Sequence, residues 1–146
     1  MVATGKATGR PGICFVTRGP GATNAAAGLH IARQDSTPLI LFVGQIAREM
    51  REREAFQELD YRAVFGTIAK WTTEIDDAAR IPELVSRAFY TATSGRPGPV
   101  VIALPEDMLV DRVSVDDELI DQHLAAGPRS VIGAHGILRV VNTADL

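Results

Sequence analysis

Short unbroken apolar runs alternate along the chain with longer stretches in which apolar side chains recur every three or four positions. Residues 13–17 (Ile-Cys-Phe-Val-Thr) form the first run, bounded by Pro11 and Gly12 before it and by Gly19, Pro20 and Gly21 after it. Residues 39–43 (Leu-Ile-Leu-Phe-Val) and 100–104 (Val-Val-Ile-Ala-Leu) are the next two. The polar alternation of a half-exposed strand is missing from all of these, so each reads as a strand covered on both faces. Residues 23–33 are rich in good helix formers and put Ala26, Leu29 and Ala32 or Arg33 at helical spacing, until Asp35, Ser36, Thr37 and Pro38 break the pattern. Residues 78–93 carry Ile81, Leu84, Val85, Ala88, Phe89 and Ala92 on one helical face, with Pro82 tolerated in the first turn. Tyr61, Val64, Phe65 and Ile68 suggest a helix over 59–69 that Gly66 shortens or breaks. Residues 48–54 are charged at nearly every position and have no apolar stripe, which predicts an exposed loop or a short solvated helix.

Buried strands alternating with amphipathic helices imply an α/β fold, a parallel sheet with helices on both faces joined by right-handed crossovers. Residues 1–112 read as one domain. Residues 113–146 turn acidic at Asp116, Asp117, Glu118 and Asp121 and end with the apolar piece at 136–141, a linker or tail with room for one extra strand. With 146 residues and 46% hydrophobic content, the chain supports a single core. A net charge of −3 gives no basic surface for nucleic acid. No apolar stretch approaches the roughly 20 residues that cross a bilayer, and the first residues lack a secretory-signal pattern. Cys14, the single cysteine, sits in an apolar run and reads as a small buried hydrophobe. The expectation is a soluble, cytoplasmic protein that binds neither nucleic acid nor membrane.

The sharpest chemical feature is Thr-Arg-Gly-Pro-Gly-Ala-Thr-Asn at 17–24, a glycine-rich turn where a strand ends and a helix begins. Ligands of open α/β sheets collect at such places, and glycines let main chain approach them closely. The pattern is neither a P-loop nor a dinucleotide fingerprint. A plain tight turn explains the spacing as well as a ligand loop does. A second candidate is Phe56 and Gln57 with Lys70, an aromatic, an amide and a cation suited to a polar pocket, although composition alone favours a capping segment and a surface lysine. Glu52, Glu54 and Glu58 sit among arginines and read as a solvated charge network. His30, His123 and His135 have no metal-ligand spacing, and no Ser-His-Asp set is evident.

Taken in order, residues 7–12, 17–24, 35–38, 44–45, 55–58, 70–71 and 95–105 resemble the acetolactate-synthase-like group of thiamine-diphosphate enzymes, in their pyrimidine-binding amino-terminal domain. The resemblance implies the thiamine-diphosphate-binding fold without its first strand and most of its first helix. It also implies thiamine diphosphate as cofactor, with the pyrimidine half alone contacted here. Gly19, Pro20, Gly21 and Asn24 match the loop approaching that half, while Phe56, Gln57 and Lys70 match positions beside the substrate channel. The family's activating glutamate falls before Met1 in this alignment of motifs, so no catalytic residue is assigned. Magnesium and the diphosphate would need a domain that this stretch does not contain. Dimerisation is part of the family's site, so a homodimer or higher oligomer is expected, or a second chain supplying the diphosphate-binding domain. The implied activity is that of a lyase, decarboxylase or carboligase acting on 2-keto acids, with this chain incomplete on its own. The alternative is a non-catalytic oligomerisation module or pseudoenzyme that pairs with a full-length relative. Arg18 stands where the family more often has serine.

Overall fold

A computed structural model describes residues 1–114 of the chain. Strands β1 (Gly12–Val16), β2 (Leu39–Gln45), β3 (Trp71–Glu74) and β4 (Pro99–Pro105) form one all-parallel sheet in the order β1-β2-β4-β3. The helices are α1 (Val2–Thr8), α2 (Pro20–Gln34), α3 (Tyr61–Phe65) and α4 (Ile81–Thr93), with 3-10 turns at Arg48–Met50, Ala78–Arg80 and Met108–Val110. No helix among the described residues is long and apolar enough to cross a membrane.

The apolar runs at 39–43 and 100–104 belong to the two central strands, both faces of which are covered, whereas the run at 13–17 forms β1 at the end of the sheet and is only partly covered, Phe15 being 56% exposed. Leu39, Leu41, Val43, Val101 and Ala103 pack with Ala22, Leu29 and Ala32 of α2 and with Tyr61 and Phe65 of α3. Ile40, Phe42, Val100, Ile102 and Leu104 pack on the opposite layer with Leu84, Val85, Ala88 and Phe89 of α4. Each large apolar side chain so buried contributes roughly 1.5–3 kcal/mol. The choice of face follows from handedness. From β1 through α2 to β2, and from β2 through α3 to β3, the chain advances across the sheet with its helix on one layer. From β3 through α4 to β4 it turns back, so a right-handed crossover puts α4 on the other layer.

The sheet and its two helical layers agree with the α/β expectation. Several local details differ. Helix α2 starts at Pro20 rather than Thr23, because proline's fixed φ and missing amide suit the first helical position. Helix α3 spans only 5 residues; Asp60 caps it by accepting bonds from the amides of Arg62 (2.9 Å) and Ala63 (3.1 Å). Strand β3 carries no clear apolar period and was not expected, and helix α1 has none either, although the resemblance left room for a short piece of a first helix. Trp71 of β3 is sheltered by a cation–π contact, the Arg87 guanidinium lying 4.5 Å from the ring centroid. Cys14 is half-buried rather than buried, because β1 is an edge strand. The piece at 136–141, together with His123 and His135, lies outside the described residues.

Candidate functional site

Parallel strands bring their carboxyl ends to one side of the sheet, and the glycine-rich turn sits there. After β1, the Gly21 amide donates to the Arg18 carbonyl (3.2 Å), and Gly19 takes a positive φ of 48°. A methyl group at Gly19 would also lie 2.9 Å from Cβ of Gln57, so glycine is required there for both conformation and space. Tyr61 fixes the turn from beneath. Its hydroxyl accepts from the Gly19 amide (3.0 Å) and donates to the Gly44 carbonyl (3.0 Å), which ties the loop after β1 to the end of β2. Burial pushes the Tyr61 phenol above its ordinary value, against the lowering effect of the Gly19 amide and the Arg18 charge.

The segment that meets this turn is held in an unusual backbone. Glu52, Glu54 and Gln57 have φ of 59°, 53° and 68°, each in the left-handed region and each costing on the order of 1–3 kcal/mol. The Glu58 carboxylate offsets part of that cost by accepting from the amides of Glu52 (2.7 Å) and Ala55 (3.1 Å). Buried Gln45 holds the far side, its Nε2 donating to the Leu59 carbonyl (2.9 Å) and its Oε1 accepting from the Ile46 amide (3.0 Å). Arg18 then joins the ends of β1 and β4 to the segment that carries Gln57. Its Nε donates to Oε1 of Gln57 (3.4 Å) and its Nη1 to Oε2 of Glu106, just after β4 (2.7 Å).

Two other arginines bind the charged stretch to the same side of the sheet. Arg48 donates to Asp107 (2.6 Å) and to Asp111 (2.8 Å), and Arg51 pairs with Glu74 and Asp76. These ion pairs reach the ends of β3 and β4, so Arg48 and Arg51 clamp the stretch to other elements, while Glu52 and Glu54 are exposed. Beneath it lies a cleft of about 370 Å³ lined by Gln45, Arg51, Tyr61, Thr72 and Glu74 among others. Two buried atoms in its wall, Nε of Arg51 and Oγ1 of Thr72, have no hydrogen-bond partner among the described residues.

Of the residues singled out from sequence, Gly19, Pro20, Gly21 and Gln57 come together at this edge. Phe56 adjoins Gln57 and is 80% exposed, and Asn24 is exposed early in α2. Lys70 is not brought to them. It lies at the amino end of the sheet, where its amide donates to the Pro99 carbonyl (2.7 Å) and its ammonium to the carbonyls of Ser94 (2.7 Å) and Thr91 at the end of α4. Burial, with the nearby Arg33 charge, pulls the Lys70 ammonium below its ordinary value. Tyr61 and Glu106 were missed as site residues. A buried tyrosine needs a partner for its hydroxyl, which is a usable signal for Tyr61; nothing local marks Glu106. No group of three or more His, Cys, Asp or Glu side chains among the described residues converges on a metal position.

Residues 2–64 match the family model described as the thiamine pyrophosphate enzyme N-terminal TPP binding domain. The chain is 46% identical over 103 residues to acetolactate synthase 3, chloroplastic, of Brassica napus, a match covering 70% of this chain and 16% of that protein. It is 43% identical over 104 residues to the acetolactate synthase isozyme 3 large subunit of Escherichia coli K12, covering 71% of this chain and 18% of the relative. It is also 39% identical over 128 residues to a probable acetolactate synthase large subunit of Methanococcus aeolicus, covering 88% and 20%. The chain thus spans about one fifth or less of the curated relatives it matches. The parallel sheet, the glycine-rich turn at its carboxyl edge and these likenesses agree, and the chain belongs to the N-terminal TPP-binding domain family of the thiamine pyrophosphate enzymes, in its acetolactate-synthase-like branch.

Proposed function

We propose that the carboxyl edge of this sheet binds the aminopyrimidine half of thiamine diphosphate, as part of an acetolactate-synthase-like lyase or carboligase acting on 2-keto acids. The observation that carries the reading is the locking of the Gly19 turn against Gln57, which unites two separate sequence motifs at the place where open α/β sheets hold ligands. The groups present suit a flat, neutral, hydrogen-bonding ring. Exposed Pro20 offers an apolar wall, the Gln57 amide and the main chain of 19–21 offer polar contacts, and the charges of Arg18 and Glu106 are paired with each other. Phe56 and Asn24 border the ring position on this reading, while Lys70 supports the fold from the other end. When bound, the cofactor supplies the electron sink for decarboxylation of a 2-keto acid. Magnesium and the diphosphate belong to the family's separate diphosphate-binding domain, supplied by a second chain on this reading. Lone, half-buried Cys14 suits a reducing compartment, and the reading puts the chain in the cytoplasm.

The test is calorimetric titration of the 146-residue chain with thiamine and, separately, with thiamine diphosphate plus magnesium. Equal affinity for the two is expected, with no release of carbon dioxide from pyruvate. Binding that demands both diphosphate and magnesium, or turnover by the purified chain, would overturn it. A second reading, a non-catalytic oligomerisation module, is favoured by one observation: Phe15 on edge strand β1 is 56% exposed although it stacks on core Phe42.

A further inference from the structure

Resting on the reading of the carboxyl edge as the ligand site, we infer that Arg18 is an anion-recognition residue. The compound it receives carries a carboxylate that replaces Glu106 on the guanidinium. Arg18, Arg48 and Arg51 all reach this edge, and they are engaged differently. Arg48 holds both Asp107 and Asp111, and Arg51 holds both Glu74 and Asp76. Arg18 is paired with one carboxylate among the described residues, Glu106, whose side chain is 58% exposed while that of Arg18 is 26% exposed. An ion pair with so solvated an acid adds little to stability, so it exchanges readily for another carboxylate.

The guanidinium keeps its place when Glu106 leaves. Its Nε donates to Gln57, and Gln57 is fixed by its packing on Gly19 and by the turn that Glu58 builds. The Nη1 side now taken by Glu106 then offers planar, paired donors of the geometry a carboxylate accepts. Arg18 immediately precedes Gly19, so an anion held there lies beside the turn assigned to the pyrimidine ring. A 2-keto acid satisfies both requirements, its carboxylate on Arg18 and its carbonyl toward the cofactor. Glu106 acts as the built-in stand-in that keeps Arg18 ordered in the absence of substrate.

The experiment titrates the 146-residue chain with pyruvate and with its uncharged counterpart pyruvamide at constant ionic strength, following chemical shifts. Pyruvate is expected to bind and pyruvamide not to. Glu106→Gln removes the competitor and should tighten pyruvate binding by about fivefold, the scale of an exposed ion pair. Arg18→Ser should abolish it and Arg18→Lys should restore it in part, with circular dichroism checking that both remain folded. Pyruvate binding that is absent in both wild type and Glu106→Gln, or that Glu106→Gln leaves unchanged, overturns the inference, as does equal binding of pyruvamide. A parallel titration with thiamine separates the two proposals. Thiamine binding without any effect of Glu106→Gln on pyruvate sinks this inference alone, whereas absence of thiamine binding sinks the cofactor reading.

Discussion

At Gly19, one residue answers to conformation, sterics and hydrogen bonding together. Its φ of 48° excludes most side chains, its α-carbon faces Gln57 at close range, and its amide is spent on the Tyr61 hydroxyl. Gly19→Ala is therefore expected to destabilise the fold by about 1–3 kcal/mol at least, since the strain and the overlap act together. Tyr61→Phe keeps the ring, which stacks beside Phe65, but strands the Gly19 amide and the Gly44 carbonyl without their partner. The expected cost is about 1–3 kcal/mol. Urea unfolding of the two variants checks both, and a Tyr61→Phe midpoint equal to that of the parent would show that the bridge contributes nothing. Neither requirement was visible in the sequence beyond the presence of a glycine. The turn was legible as a turn, but its partner Gln57 is 38 residues away, and that pairing exists only once the sheet is built.

Among the elements, those read most clearly are those whose surroundings are uniform. β2 and β4 lie between two helical layers, so burial alone writes their sequences, and α4 rests on the sheet by one continuous face. β3 escaped notice because an edge strand of 4 residues with two threonines and a glutamate has little apolar pattern to show. The charged stretch was legible as solvent-facing, but its ion pairs were not, because Asp107 and Asp111 follow β4, far along the chain. Burial alone would push the Asp107 carboxyl up; bonds from the Arg48 guanidinium and amide outweigh this and hold it below its ordinary 3.8. A depressed acid stabilises the fold above its unfolded-state pKa, and that contribution disappears as the pH falls through the lower, folded value. Stability should therefore drop on acidification below about pH 4, and less steeply in Asp107→Asn. Parallel slopes in thermal melts of the two proteins between neutral and acid pH would refute the clamp.

At the scale of the molecule, the sheet formed by the described residues ends in β1. Among those residues β1 pairs with β2 on one side only, and exposed Phe15 presents an apolar ring beside its other edge. Such an edge invites pairing with another chain. Light scattering of the purified chain is expected to give a mass that rises with concentration, and Phe15→Lys, which puts charge on the edge, should suppress the rise. A constant monomer mass at high concentration would argue against it.

Lys70 gives the molecule a division of labour between its two rims. Its ammonium closes carbonyls that the end of α4 would otherwise leave open, so this part of the amino rim is finished with internal bonds. The opposite rim carries strained backbone at Glu52, Glu54 and Gln57, a loosely held acid at Glu106 and, in Arg18, an arginine that can trade partners. Substitutions should consequently segregate by rim: those at the amino side change how well the protein folds, and those at the carboxyl side change what it recognises. A lineage can therefore explore new substrates at one end of this sheet without renegotiating the architecture held at the other.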